Sequence, residues 1–129
     1  MATRILDLPL LSFSMTVGTN EDWLDSWAYF DALGIAIPLD GMTFALMVRP
    51  TPSDPNPIIV ASTGQAPVRG LSANGAVTAG GNALAVSVPY TWMQRIIAGA
   101  YVFEAQAQGD GATRAVARGG LTVVQGIVR

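Results

Sequence analysis

Apolar and polar positions alternate with a period near two along most of this chain, most regularly in the last thirty residues. Tyr101–Ala107 and Ala115–Val124 both alternate, and Gly109-Asp110-Gly111 lies between them. Asp-Gly tolerates the positive φ of a tight hairpin turn, so the pattern predicts a terminal β-hairpin. Upstream, Ser12–Val17 alternates as a first strand. Trp23–Asp31 follows, with Trp23, Asp25, Trp27 and Tyr29 on one face and Leu24, Ser26, Ala28 and Phe30 on the other. Aromatics on both faces predict a central position for this strand. Met42–Arg49 places Phe44, Leu46 and Val48 opposite Thr43, Ala45, Met47 and Arg49, which is a strong strand pattern.

The intervals between these runs carry turn chemistry. Leu33-Gly34 and Asp40-Gly41 bracket a short extended piece, Ile35–Leu39. The stretch from Pro50 to Pro57 holds four prolines in eight residues and predicts a rigid loop. Ile58–Ala61, Gly70–Val77 and Leu84–Val88 supply three further strands. From Pro89 to Ile97 the alternation stops, and Trp92 and Ile96, four apart, predict one short helical turn near residues 89–97. The sum is an all-β chain of seven to eight strands, an antiparallel β-sandwich with one helical turn. No internal repeat or linker divides it: residues 1–11, apolar but broken by Asp7 and Pro9, read as an extended arm, and residues 12–129 as a single domain.

Composition narrows the chemistry. The chain has no cysteine and no histidine, which removes disulfides, thiolate nucleophiles, the usual general base at neutral pH and the commonest metal ligands. No cofactor, metal site or catalytic residue is expected, and the chain reads as a non-enzyme. All seven basic residues are arginine, and the net charge is −2. Neither a nucleic acid nor an anionic membrane fits so weak and scattered a charge. The apolar run of the arm is too interrupted for a signal peptide. Charged residues make up 12% of the chain, about half the roughly 25% of an average soluble domain. Thin charge leaves strand edges poorly protected, which points to edges occupied in an assembly.

Two groups of residues are candidate binding surfaces. Trp23, Trp27 and Tyr29, spaced by two, share one strand face; they can fill the core, anchor a protein partner, or form an aromatic platform for a host glycan. The arm residues Ile5, Leu6, Leu8, Leu10 and Leu11, with Arg114 and Arg118 on the last strand, are candidate contacts to neighbouring subunits. Glu21, Asp22 and Asp25 form the one local acidic cluster and read as a solvated turn, since no calcium-loop spacing accompanies them.

Three pieces occur in order: Leu39-Asp40-Gly41-Met42-Thr43-Phe44-Ala45-Leu46-Met47-Val48-Arg49; Val88-Pro89 with its helical turn; and Gly99–Glu104 running through Asp110–Arg114 to Gly119-Gly120-Leu121-Thr122-Val123. Together they resemble the small immunoglobulin-like domains of tailed bacteriophages and prophages, which stand alone or open tail-tip and upper-baseplate proteins. The resemblance spans Trp23 to Arg129. It implies an immunoglobulin-like sandwich, a virion location after synthesis in the host cytoplasm, and a structural role in several symmetric copies with other virion proteins and copies of itself as partners. It brings no catalytic residues. Modular members continue into receptor-binding parts, whereas this sequence ends at Arg129, so a tail, tail-tip or baseplate adaptor or connector is expected. A capsid decoration or head-tail connection subunit is the alternative, and a module for host surface polysaccharide is a further one.

Overall fold

A computed structural model describes residues 8–68, 70–109 and 111–126. Among them the chain is all-β apart from one helical turn. The strands are β1 (Leu11–Ser12), β2 (Met15–Gly18), β3 (Trp23–Ala28), β4 (Thr43–Arg49), β5 (Ile59–Thr63), β6 (Gly75–Gly80), β7 (Ala83–Val88), β8 (Gly99–Gly109) and β9 (Ala112–Val124), and α1 (Tyr90–Met93) lies between β7 and β8. The helical turn begins after Pro89 and closes within one turn, because Gln94 caps it by donating to Tyr90 C=O. The terminal hairpin pairs Gly99↔Val123 through to Gly109↔Ala112, as alternation predicts; Asp110, the expected turn residue, lies outside the described residues.

The strands join in one hydrogen-bonded path, β1-β9-β8-β4-β5-β6-β7-β3, with β2 also on β9. This corrects the antiparallel expectation. β1 and β2 run parallel to β9, and β5 runs parallel to β6 over Ala61↔Gly75, Ser62↔Ala76 and Thr63↔Val77. Alternation reports which face a residue occupies and is blind to the direction of the neighbouring strand. The predicted first strand is also split. Phe13 and Ser14 separate β1 from β2 opposite Gly119, where an added Cβ would sit 1.6 Å from the Phe13 carbonyl oxygen. A side chain at 119 would push this segment off β9.

Alternation holds where the path bends around the core. Phe44, Leu46 and Val48 of β4 are buried against Phe103, Ala105 and Ala107 of β8, while Ala45, Met47, Val102, Glu104 and Gln106 face outward. Among the described residues β3 stands at the end of the path and pairs with β7 alone, where aromatics on both faces predicted a central strand. Its inward face carries Trp23 into the core, and its outward face leaves Leu24 in solvent. The path curls until β3 comes back towards β9, the strand next to its other end: Tyr29, just past β3, donates a 2.9 Å hydrogen bond from Oη to the Val116 carbonyl of β9. Ala105 pairs with Ala117 and Gln106 with Ala115, which makes Val116 the extra residue of a β-bulge.

Candidate functional site

The aromatic face of β3 is core. Trp23 is 1% exposed and Tyr29 is fully buried, while Trp27 is half-buried and packs against the core cluster. Each polar handle is used internally. Trp23 Nε1 donates to Asp25 Oδ2 at 2.7 Å, and Trp27 Nε1 donates to Tyr29 Oη at 2.9 Å. Burial pushes the Tyr29 phenol up to about 12, against the smaller opposing effect of the Trp27 hydrogen bond. The Phe13 ring stacks obliquely on Trp27 and on Phe103, at 5.2 and 5.3 Å between centroids. These rings offer a sugar no open platform. Of the three uses open to Trp23, Trp27 and Tyr29, filling the core is the one their burial matches; the strand's pattern could not say which of its two faces met the core.

The expected subunit contacts divide. Leu8 is buried and its carbonyl accepts a 2.9 Å hydrogen bond from Arg114 Nε, while Leu11 belongs to β1 and packs on the core. Leu8 and Leu11 thus pack into the folded body, where the expected arm was to lie outside it, and Leu8 is tied to Arg114 within its own chain. Leu10 is exposed. Ile5 and Leu6 lie outside the described residues. Arg118 points to solvent, 55% exposed, with Nη2 4.0 Å from Glu104 Oε1, a separation worth about 0–1 kcal/mol in an exposed pair.

Two surfaces stand out, the first not anticipated as a site and the second gathered around Arg118, one of the expected contacts. The first is the turn between β3 and β4, where Phe30, Leu33 and Ile35 are 52%, 84% and 60% exposed. This is no loose loop. Asp31 Oδ1 accepts from Leu33 N at 2.8 Å and from Ile35 N at 3.0 Å, Asp31 N donates to Ile35 C=O, and Gly34 N donates to Asp31 C=O. Gly34, at φ +80°, supplies the left-handed residue that closes the turn. Phe30 and Ala36 form the β-bridge at its base. Asp31 thus fixes the backbone at Leu33 and Ile35, and the bridge fixes it at Phe30, so three large apolar side chains project from an ordered turn. Asp31 followed by Leu33-Gly34-Ile35 was a visible turn signal, but alternation alone could not show that the apolar residues have no inward side to occupy.

The second surface is a cleft of about 380 Å³ across the outward faces of β4, β8 and β9. Ala45, Met47 and Val102 are among its apolar lining residues. Arg49, on one wall, donates to Asp54 C=O at 2.8 Å and to Met47 Sδ at 3.2 Å, fixing the proline-rich loop beside β4. Opposite stand Glu104 and Arg118, with Gln106 Nε2 donating to Glu104 Oε2 at 3.0 Å. Two arginines against one glutamate give this cleft a local positive excess in a chain of net charge −2. Its volume lies in the range of pockets that take ligand-sized groups, roughly 300–1,000 Å³.

Among the described residues no group of three or more His, Cys, Asp or Glu side chains is placed to hold a metal ion, and no helix is long and apolar enough to cross a membrane. No protein-family model and no curated protein matches this chain.

Proposed function

We propose that this chain is a structural subunit of a tailed-bacteriophage virion, an immunoglobulin-like adaptor or connector of the tail, tail tip or baseplate that works by assembly in several copies and carries out no catalysis. The strand order supports the fold part of this reading. β3-β7-β6 follows the B-E-D order of an immunoglobulin-type sheet, and β5-β4-β8-β9 follows C′-C-F-G. At the start of β8, Tyr101 Oη donates to the carbonyl of Ile97, four residues upstream, the arrangement of a tyrosine corner.

Fold alone does not assign a role. The observation that carries the functional part is the rigid apolar turn: Phe30, Leu33 and Ile35 stand in solvent on a scaffold that has already paid the cost of ordering them. A preordered apolar knob suits a permanent protein contact. Quantitative mass spectrometry of purified tailed particles, produced with this chain in its own genomic setting, tests the reading. A fixed copy number per particle supports it. Recovery of the chain only in the particle-free fraction overturns it.

A further inference from the structure

We infer that the β3–β4 turn of one copy seats in the β4/β8/β9 cleft of the next, a head-to-tail contact by which copies of this chain assemble; the inference rests on the assembly reading above and names its interface. Three features of the two surfaces match. The turn presents aliphatic side chains, Leu33 and Ile35, and the cleft has apolar lining residues in Ala45, Met47 and Val102. Beside its apolar residues the turn carries the exposed carboxylate of Asp31, and the cleft carries Arg118, a 55% exposed guanidinium with five N–H donors whose ion pair to Glu104 is long, at 4.0 Å. Both sides are prebuilt, the turn by the four hydrogen bonds around Asp31 and Gly34, the cleft wall by Arg49.

The topology sets the symmetry. The turn and the cleft share no residue, so a copy that gives its turn to one neighbour keeps its cleft for another. Such a contact is heterologous, and repeating it closes a ring when the rotation allows and extends a filament when it does not. A second copy is the favoured occupant because this chain carries the complementary apolar and acidic group itself. The charged pair sets register and encounter, while the buried aliphatic side chains supply the affinity.

Sedimentation velocity on the full chain and two surface variants tests this. Leu33→Asp disables the turn and Arg118→Glu disables the cleft; both positions are exposed, and thermal melts that match wild type establish that each variant is folded. Each variant alone is expected to weaken self-association by about tenfold or more. Mixed together, they retain one intact turn and one intact cleft, and are expected to form a discrete dimer that does not grow. If wild type associates and neither variant weakens it, or if the mixture associates no better than either variant alone, the turn-to-cleft contact is overturned and the assembly reading stands. If wild type itself stays monomeric at every concentration, self-assembly is overturned together with its interface.

Discussion

Tyr29 donates its phenolic hydrogen to the carbonyl of Val116, 87 residues later in the chain, across the seam where β3 comes back towards β9. The partner is free for a local reason. Val116 is the bulged residue of β9, so its carbonyl leaves the β8–β9 ladder and turns inward. Trp27 Nε1 completes the chain of donors by bonding to Tyr29 Oη. A buried hydroxyl thus satisfies two groups that would otherwise be orphaned, one from each side of the seam.

Removing that hydroxyl is expected to be costly. Tyr29→Phe keeps the ring but strands the Val116 carbonyl and the Trp27 indole N–H, a loss of about 1–3 kcal/mol. Urea denaturation checks this. The midpoint falls while the slope stays at the wild-type value, since the surface exposed on unfolding is unchanged.

The same group makes stability pH-dependent in the alkaline range. Tyr29 releases its proton near 12 in the folded chain and near 10 when unfolded, so the folded state holds more protons between these values. The contribution is complete below about pH 10 and is lost as pH rises towards about 12. Melting temperatures of wild type and Tyr29→Phe, measured across this window, are expected to converge as pH rises.

Gly119→Ala is expected to be among the most damaging single substitutions. The added Cβ would fall 1.6 Å from the Phe13 carbonyl oxygen and 3.2 Å from the Phe103 ring. Overpacking typically costs about 1–3 kcal/mol, and contact with backbone leaves no side chain to swing aside, so the upper part of that range is predicted. Limited proteolysis checks the mechanism: cleavage between Leu11 and Met15 should appear before the body of the domain is cut.

The Arg114–Leu8 bond predicts a local effect. Arg114→Ala removes the donor to the Leu8 carbonyl, and hydrogen exchange is expected to speed at residues 8–12 with little change in β4 or β8. Leu8→Ala, which empties a buried position, is expected to cost about 2–5 kcal/mol.

Faces were legible in the sequence where a strand has one buried side. Phe44, Leu46 and Val48 alternate cleanly and are buried as their pattern predicts, and the two terminal strands pair as a hairpin, with Gly109 opposite Ala112 beside the expected turn. Direction and neighbourhood were not legible. Nothing in Ser12–Val17 distinguishes a strand running parallel to β9 from an antiparallel one, and the break at Phe13 depends on a glycine more than a hundred residues away. The candidate surfaces were hidden for a related reason. Leu33 and Ile35 look like core residues in one dimension; only the pairing of Phe30 with Ala36 shows that they project from the tip of a turn. The cleft unites Met47, Val102, Glu104 and Arg118 from three strands, a grouping that exists only after the register of β4, β8 and β9 is set.

If this chain is the assembling subunit proposed above, its mass in solution must depend on concentration. Light scattering behind size exclusion, run over a wide concentration range, is predicted to give a mass above 13.5 kDa that rises with concentration, to a fixed whole multiple if the contact closes a ring and without a fixed limit if it extends a filament. A constant mass of 13.5 kDa at every concentration would overturn self-assembly of this chain.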